Sequence, residues 1–365
     1  MTPVRLGIIG AGDVAQRDYL PEWHRLGGEA VIAVVCSRDP ERARRAAERY
    51  GAERSSTNYR DVVRSDIDAI VNLTPVNVHY PVTLAALQAG RHVYTEKPLA
   101  CSPAQAKELE QLATDRGLTL VCAPSIMLFP QIAKVGQLLA SGEVGVVRSA
   151  RAQALTGPPP WPGYDSDPSF FFENEAGPLV DMGVYPLHVL TGLLGPVSSV
   201  AAMASRAMQS FVVAGGPFRG KTVPVEAEDT WQVIARLGGC IASVEANFST
   251  VGSAAADCEL RGERAAVAFS LFDVSAPISL LPAGQSDWTE IPVAHERAAG
   301  PDHLLGIREL LDCLAEGRAP VPSARHAIHV LEVIEAARES ARTGRTVTIE
   351  PPASDLAPVW SREVT

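Results

Sequence analysis

The chain has 365 residues, of which 46% are hydrophobic and 20% are charged, and its formal net charge at neutral pH is −10. This length exceeds one ordinary hydrophobic core, so two domains of a globular protein are expected. The negative charge argues against nucleic acid or an anionic membrane as the main partner. No segment approaches the roughly 18 apolar residues that cross a bilayer, and the first residues do not have the features of a signal peptide.

The six cysteines are scattered along the chain and form no Cys-x-x-Cys pair. In a chain of this size, such spacing is typical of reduced, mostly buried thiols rather than of a disulfide framework. The sequence therefore predicts a cytoplasmic protein.

The first third of the chain alternates short apolar strands with helices. Strands are predicted over residues 4–9, 30–35, 69–73, 92–95 and 118–122. Helices are predicted from the first glycines to about residue 26, and over residues 40–50, 81–89 and 103–116. Strands separated by helices of about ten residues indicate βαβ units and a parallel sheet. Residues 1–122 are therefore predicted to form a doubly wound Rossmann domain.

After residue 123 the pattern changes to long loops and alternating strands. A helix (131–140), a strand (144–154) and a loop rich in Pro, Gly and aromatic residues (156–178) come first. Further strands are predicted over 197–205, 230–237, 240–248, 257–261, 265–269 and 278–281, and helices over 303–316 and 323–343. Period-two apolar residues over 231–237 indicate a sheet with one buried face. We therefore predict an α/β protein whose second domain (123–350) is α+β with a large, mostly antiparallel open sheet, followed by an extended tail (351–365).

A glycine-rich turn follows the first predicted strand and opens the first helix, as Gly10-Ala11-Gly12-Asp13-Val14-Ala15. In a Rossmann unit the first glycine permits a tight turn and the second lets a pyrophosphate approach the backbone. The small third residue lets helix and strand pack closely, and the helix N-terminus adds N–H donors. The turn therefore predicts a site for the phosphates of a nicotinamide dinucleotide. An ordinary glycine turn is the alternative.

The end of the second strand bears on the choice of dinucleotide. An acidic residue there accepts the adenosine ribose hydroxyls of NAD, whereas this chain has Cys36-Ser37-Arg38. A hydroxyl and a planar guanidinium suit a 2′-phosphate, so Ser37 and Arg38 favour NADP over NAD. Asp39 follows directly, so NAD remains possible as the cofactor. Alternatively, Arg38 is a solvated surface residue that does not contact the cofactor.

Two longer motifs resemble those of a known family. Thr74-Pro75 follows the third predicted strand, His79 comes four residues later, and Ala89-Gly90-Arg91-His92-Val93 leads into Glu96-Lys97-Pro98. A second motif, from Gly177 to His188, reads Gly-Pro-Leu-Val-Asp-Met-Gly-Val-Tyr-Pro-Leu-His. Together they resemble the Gfo/Idh/MocA oxidoreductases, relatives of glucose-fructose oxidoreductase and inositol dehydrogenase, over nearly the whole chain. The resemblance implies a Rossmann domain followed by a sheet-rich domain.

The resemblance also implies which residues form the site. The family usually has Asp, then His four residues later and Asp after three more, where this chain has Asp181, Tyr185 and His188. Tyrosine at the middle position resembles the glucose-fructose oxidoreductase and dihydrodiol dehydrogenase branches. The residues implied to lie near the cofactor are Thr74, Pro75, His79, Glu96 and Lys97.

Hydride transfer at a carbinol carbon needs a group that takes or gives the hydroxyl proton. The spacing i, i+4, i+7 puts Asp181, Tyr185 and His188 on one helical face, and Pro186 predicts a bend or an irregular start. A tyrosine with a pKa near 10 is a poor base at neutral pH unless a cation lowers that pKa. Tyr185 is therefore the predicted general acid/base, Lys97 the group that tunes it and binds substrate, and Asp181 the residue that orients a substrate hydroxyl or Lys97.

Other roles remain open for several candidates. Asp181 is alternatively a helix N-cap, and His188 is either a substrate contact or a packing histidine. Trp161 and the aromatic loop around it suit the apolar face of a sugar ring, or pack on their own domain. His326 and His329 lie one turn apart, but no third ligand is indicated, so no metal site is predicted.

The sequence thus predicts an enzyme, an NAD(P)-dependent oxidoreductase acting on a hydroxyl or carbonyl of a sugar, nucleotide-linked sugar, cyclitol or related polyol. A non-catalytic dinucleotide-binding regulator and an NAD-dependent glycosidase of the same fold are the alternatives. The resemblance implies that the large sheet forms an oligomer interface, so a homodimer or homotetramer is expected. An intramolecular core explains the period-two pattern equally well.

Overall fold

The structure, a computed structural model, describes residues 2–174, 176–297 and 299–350 of the chain. The chain divides into two compact units. The first consists of the described residues of Met1–Ser125 and His303–Ile328, and the second of those of Ile126–Asp302 and His329–Thr365. Among the described residues, no helix has both the length and the apolar character needed to cross a membrane. The predicted tail at 351–365 lies outside the described residues.

Six parallel strands form the sheet of the first unit. They are β1 (Val4–Ile9), β2 (Ala30–Cys36), β3 (Arg54–Ser56), β4 (Ala69–Asn72), β5 (His92–Thr95) and β6 (Leu120–Cys122). Their order across the sheet is β3-β2-β1-β4-β5-β6, and every pairing is parallel. This is the order of a doubly wound dinucleotide-binding sheet, so the predicted Rossmann topology is confirmed. The sequence did not predict β3, because its three residues include no apolar one.

The helices that connect these strands are α1 (Pro40–Tyr50), α2 (Tyr59–Val63), α3 (Val76–Gln88) and α4 (Pro103–Asp115). The helical stretch predicted after β1 is a π-helical turn (Ala15–Tyr19) followed by a 3₁₀ helix (Leu20–Leu26). The predicted start of α3 at Pro81 is wrong, since α3 begins five residues earlier and contains that proline. The hydrogen bond that Pro81 cannot make falls on the carbonyl of Asn77, an exposed residue.

A nine-stranded sheet forms the centre of the second unit. The strands in this unit are β7 (Val147–Leu155), β8 (Val197–Ser205), β9 (Ser210–Val212), β10 (Thr222–Pro224), β11 (Thr230–Leu237), β12 (Cys240–Asn247), β13 (Cys258–Gly262), β14 (Ala265–Phe269), β15 (Ile278–Pro282), β16 (Thr289–Ile291) and β17 (Val347–Thr348). β9 and β10 pair only with each other, and the order of the others is β16-β15-β14-β13-β7-β12-β11-β8-β17. Only β7 and β12 pair in parallel, so the predicted mostly antiparallel sheet is confirmed.

One face of this sheet is buried and the other is open. On β11 the side chains of Trp231, Val233, Ala235 and Leu237 are buried, while the residues between them are exposed. The first α-helices of this unit are α5 (Pro130–Ala140), α6 (Gly177–Asp181) and α7 (Val184–Leu194). α7 is buried over almost its whole length, and it packs on β7 and β12. The period-two prediction of one buried face therefore holds for β11.

The last two helices are α8 (Leu304–Glu316) and α9 (Ala324–Thr343), and the division between the units falls within α9. Leu304, Ile307 and Leu310 of α8 belong to the apolar cluster around β1 and β4, in the first unit. The packing of α8 in the first unit could not be predicted, because the apolar stripe of a helix does not reveal which core it joins. The domain boundaries at residues 122 and 350 remain a prediction.

His92 in the first unit and His329 in the second each accept a hydrogen bond from a backbone N–H group. Nδ1 of His92 accepts from the N–H of Thr119 at 3.0 Å, and Nε2 of His329 accepts from the N–H of Val197 at 2.9 Å. A ring nitrogen that accepts carries no proton, so both contacts require the neutral imidazole. Burial lowers the pKa of both histidines from the ordinary value of 6.5.

We expect the free energy of unfolding to fall as the pH drops below about 6.5. In the folded state the pKa values of these histidines lie below those of the unfolded chain. Their contribution to the free energy of unfolding is therefore fully present at a pH above the unfolded-state pKa. It is lost as the pH falls through the folded values. His92→Asn and His329→Gln each keep an accepting oxygen near the ring nitrogen but do not titrate. Urea unfolding on either side of the unfolded pKa should show a smaller pH dependence in the double variant, and an equal dependence would contradict the prediction.

Candidate functional site

The glycine turn lies at the carboxyl edge of the parallel sheet, directly after β1. Gly10 has a φ of +103°, and a Cβ there would lie 2.4 Å from the carbonyl oxygen of Leu73, so the turn requires glycine. At Gly12 no atom lies within 4 Å of the position that a Cβ would take. Ala15 is fully buried in the apolar cluster of the first unit. The turn is thus tight at Gly10 and leaves space at Gly12, as the approach of a dinucleotide phosphate requires.

The residues after the turn are ordered by the backbone and by one side chain. Gln16 donates from Nε2 to the carbonyl of Ala11 at 2.8 Å, and its N–H donates to the carbonyl of Gly12 at 3.0 Å. Asp13 and Val14, between these contacts, are half-buried. Their contact with a phosphate stays a prediction.

Ser37 and Arg38 follow the end of β2, where Ser37 is half-buried and Arg38 exposed. Asp39 is the N-cap of α1, because its Oδ1 accepts from the N–H groups of Glu41 at 2.9 Å and Arg42 at 3.2 Å. Sequence reasoning missed Arg42, whose exposed side chain lies in the first turn of α1. The signal was present, since an N-cap Asp before Pro40 places Arg42 three residues into the helix.

The loop after β4 is held by buried polar side chains. Asn72 accepts at Oδ1 from the hydroxyl of Thr74 at 2.7 Å and donates from Nδ2 to the carbonyl of His79 at 3.1 Å. Pro75 is the extended N-cap residue of α3. The ring of His79 lies between two carbonyl oxygens, that of Pro98 2.7 Å from Nδ1 and that of Thr74 2.6 Å from Nε2. His79 therefore ties the loop after β4 to the loop after β5, and its contact with a cofactor stays a prediction.

Lys97 follows β5 at the same carboxyl edge, where ligands of this sheet type bind. It is half-buried between two buried neighbours, Glu96 and Pro98. The N–H of Lys97 donates to Oε2 of Glu96 at 2.9 Å. The first unit therefore brings the glycine turn, the end of β2, Thr74 and Lys97 to one edge of the sheet.

The other predicted catalytic residues lie in the second unit, on two helices rather than one. α6 ends at Asp181, and α7, which carries Tyr185 and His188, begins after a turn at Gly183. A Cβ at Gly183 would lie 2.7 Å from the carbonyl oxygen of Leu179, so this turn requires close backbone packing. The prediction of one continuous helical face for these residues is therefore wrong.

The helix start is irregular as predicted, but Pro186 is not its cause. Pro186 lies in the first turn of α7, where a helix needs no N–H donor. Gly183 is the N-cap residue of α7 and Asp181 is the last residue of α6, so Asp181 does not occupy the N-cap position that the alternative gave it. Asp181 is half-buried.

Tyr185 lies against an aromatic residue that sequence reasoning missed. The rings of Tyr185 and Phe272 meet edge to face, with centroids 5.5 Å apart, and Tyr185 is 9% exposed. Phe272 lies in the loop after β14, which Asp257 orders by accepting at Oδ2 from the hydroxyl of Ser270 at 2.7 Å. Gln131 holds the same loop through its Nε2, which donates to the carbonyl of Asp273 at 3.1 Å. No local pattern indicates that this loop reaches Tyr185.

His188 and Trp161 both make packing contacts within the second unit. His188 is buried, and its Nδ1 donates to the carbonyl of Val184 at 2.8 Å, so this nitrogen carries a proton. Trp161 meets Phe171 and Phe248 edge to face at 5.2 and 6.0 Å. The aromatic loop thus packs on its own unit, as one alternative predicted. Contact of either residue with a substrate stays a prediction.

Two family models match the chain. The model described as an oxidoreductase family with an NAD-binding Rossmann fold matches residues 4–123, and the model of the GFO/IDH/MocA C-terminal domain matches residues 132–268. The two matches follow each other along the chain and agree with the two sheets.

Curated relatives align with parts of the chain. The dTDP-3,4-didehydro-2,6-dideoxy-alpha-D-glucose 3-reductase of Streptomyces antibioticus is 37% identical over 214 residues, which are 58% of this chain and 64% of that protein. The levoglucosan dehydrogenase of Pseudarthrobacter phenanthrenivorans is 27% identical over 281 residues, 69% of each chain. The alignment with the first relative thus spans less than two thirds of its length.

A solved structure of a levoglucosan dehydrogenase in complex with NADH and L-sorbose shares the fold. It matches with a TM-score of 0.82 at 22% sequence identity, over 96% of this chain and 100% of that one. At this level of identity the likeness concerns the fold alone.

Proposed function

The chain belongs to the Gfo/Idh/MocA family of oxidoreductases, and we propose that it transfers a hydride between a nicotinamide dinucleotide and a sugar-like substrate. The group that reacts is a hydroxyl or carbonyl of a sugar, nucleotide-linked sugar, cyclitol or related polyol. The observation that carries this proposal is the glycine turn, tight at Gly10 and open at Gly12, in a sheet of Rossmann order. The names of the relatives, a dTDP-sugar 3-reductase and a levoglucosan dehydrogenase, support the substrate class.

The residues at the carboxyl edge of the first sheet fit a dinucleotide. A Cβ at Gly12 would fill the space through which a pyrophosphate approaches the backbone. Bound nicotinamide would supply the acceptor or donor of the hydride. The residues proposed to hold the dinucleotide are Gly10, Gly12, Asp13, Val14, Ala15, Ser37, Arg38, Thr74, Pro75, His79, Glu96 and Lys97.

Proton transfer is assigned to Tyr185. When the carbinol carbon is oxidised, the phenolate of Tyr185 takes the hydroxyl proton, and in the reverse direction the phenol returns it to the oxygen. For Lys97 we propose the role that the family resemblance implies, in which its ammonium binds the substrate oxygen. Asp181 accepts from a neighbouring substrate hydroxyl and so orients the ring. Phe272, whose ring meets that of Tyr185 edge to face, shields one side of Tyr185 from water.

NADP is proposed as the preferred dinucleotide. The carboxylate of Asp39, the first acidic residue after β2, caps α1 and so already accepts two backbone N–H groups. The exposed guanidinium groups of Arg38 and Arg42 and the hydroxyl of Ser37 then supply donors for a 2′-phosphate.

A second copy of the chain is proposed to cover the open face of the nine-stranded sheet. Met203, Ile234 and Ile241 are 80%, 45% and 47% exposed on three neighbouring strands, β8, β11 and β12. The strand register places all three on the face opposite the core, since Gln232 pairs with Met203 and Arg236 with Ile241. A row of large apolar side chains across the centre of a sheet favours burial against a partner. A homodimer, or a homotetramer built from it, follows.

A cytoplasmic location is also proposed. Five of the six cysteines are buried free thiols, at 36, 122, 240, 258 and 313. Cys101 is exposed. Free thiols persist in a reducing compartment, which supports this location.

Tyr185→Phe and Lys97→Met should each lower kcat by about 100-fold or more on the best substrate of a polyol and ketose panel, because each removes a proton-handling group. Dinucleotide affinity, measured by fluorescence titration, should stay within about threefold in Tyr185→Phe, since the phenol acts on the substrate. Tyr50→Phe, a change at the end of α1, is the control. Wild-type kcat in both variants would contradict these roles.

The same panel tests the other functions. Tight dinucleotide binding without oxidation or reduction of any compound would favour a regulator. Release of a free sugar from a glycoside, with no net change in the dinucleotide, would favour a glycosidase.

Arg38→Ala and Arg42→Ala should each raise the Kd of NADPH by about tenfold to 100-fold and leave that of NADH nearly unchanged, because only NADPH carries the 2′-phosphate. Arg45→Ala is the control, since Arg45 lies on the same helix but pairs with Glu41 at 3.5 Å. Fluorescence titration measures both constants. Tighter wild-type binding of NADH than of NADPH would refute the NADP preference.

Ile234→Lys and Ile241→Glu should each reduce the mass measured by light scattering, because a charge would be buried in the proposed interface. Val251→Lys is the matched control, since Val251 is 88% exposed but lies outside the strands. A monomeric wild-type protein, or an unchanged mass in both sheet variants, would exclude this interface.

A further inference from the structure

A chain of buried hydrogen bonds in the first unit ends at the backbone of Lys97. Tyr19, the last residue of the π-helical turn, and Tyr94, in β5, are both fully buried, and Glu96 is 8% exposed. The hydroxyl of Tyr19 lies 2.5 Å from Oε1 of Glu96 and 2.7 Å from the hydroxyl of Tyr94. Oε2 of Glu96 accepts the N–H of Lys97. Both carboxylate oxygens of Glu96 therefore accept hydrogen bonds, as a buried charged group requires.

Each tyrosine hydroxyl carries one proton, and this determines which oxygen donates in each hydrogen bond. The one proton of Tyr19 goes to the carboxylate, so the oxygen of Tyr19 accepts the proton of Tyr94. Burial, and then the charge of Glu96, raise the pKa of Tyr19 well above its ordinary value. Tyr19 is therefore a hydrogen-bond donor at neutral pH and not a base.

The π-helical turn explains how Tyr19 reaches Glu96. The N–H of Leu20 donates to the carbonyl of Ala15, five residues back, so this turn holds more residues than an α-helical turn. The turn begins three residues after Gly12, the second glycine of the Gly-x-Gly segment. Tyr19 thus connects the backbone proposed to hold the phosphates with the strand end that carries Lys97.

The Lys97 segment is fixed on both sides. On its N-terminal side, Glu96 holds the N–H of Lys97, and on its C-terminal side the ring of His79 contacts the carbonyl of Pro98. Helix α8 packs directly against Tyr94, because a Cβ at Gly306 would lie 2.4 Å from the ring of Tyr94. Little freedom is left to the backbone on either side of Lys97.

We propose that Tyr19 is a positioning residue for Lys97. By donating to Glu96, Tyr19 fixes the carboxylate that holds the Lys97 backbone, and so sets where the ammonium meets the substrate hydroxyl. The inference rests on the role of Lys97 in the proposed function. A displacement of about 1 Å in a reacting group can cost about 100-fold in rate, so the loss of one hydroxyl far from the substrate should be measurable.

Tyr19→Phe keeps the ring and removes the hydroxyl. We expect kcat to fall about tenfold to 100-fold, the dinucleotide Kd to stay within about threefold, and the pH profile of kcat to shift, because the ammonium no longer occupies its reactive position. In a Lys97→Met background, Tyr19→Phe should have no further effect on kcat. A merely structural role would lower stability and leave the pH profile of the folded enzyme unchanged.

Tyr50→Phe is the matched control, because among the described residues the buried hydroxyl of Tyr50 has no hydrogen-bond partner. Glu96→Gln, which removes the charge and keeps the size, gives the same test if Tyr19→Phe does not fold. Wild-type kcat and pH profile in the folded variant would overturn the inference while leaving the proposed function intact. Wild-type kcat in Lys97→Met alone would instead refute the role of Lys97, and the inference with it.

Discussion

The turn after β1 and the end of β4 approach each other so closely that no side chain fits between them. A Cβ at Gly10 would lie 2.4 Å from the carbonyl oxygen of Leu73, and the N–H of Gly10 donates to the carbonyl of Cys36 at the end of β2. One residue thus contacts the backbone ends of the strands on both sides of β1. The parallel order then brings the segments after β2, β4 and β5 to the same edge, which is where a dinucleotide binds in such sheets.

Buried polar side chains, rather than apolar packing, determine the shape of the loops at this edge. Asn72 and His79 hold the loop after β4, and Glu96 with Tyr19 holds the segment after β5. An unsatisfied buried polar group costs about 1–3 kcal/mol, so each of these contacts strongly favours one loop conformation. Lys97, which we propose to bind substrate, therefore has a backbone with few alternative conformations.

In the second unit, close packing at a glycine and contacts between aromatic rings, rather than buried polar side chains, determine the positions of the candidate site residues. Gly183 lets α6 and α7 meet in a tight turn against Leu179, and this turn separates Asp181 from Tyr185. The ring of Phe272 lies against Tyr185 on a loop that Asp257 and Gln131 order. The nine-stranded sheet then combines a buried face, which carries the core, with an open face on which Met203, Ile234 and Ile241 are exposed.

The sequence by itself determined the features that are encoded locally. The apolar runs of β1 and β2, the proline and glycine at the two ends of α1, and the Gly-x-Gly spacing each lie within a few neighbouring residues, so periodicity and turn chemistry sufficed to predict them. Only the tertiary structure decided which distant residues meet. Tyr19 and Glu96 are 77 positions apart, α8 joins the core of the first unit, and Phe272 reaches Tyr185 from another loop. Such contacts depend on how the strands and loops are arranged in three dimensions, and no repeat within a short segment of sequence records that arrangement.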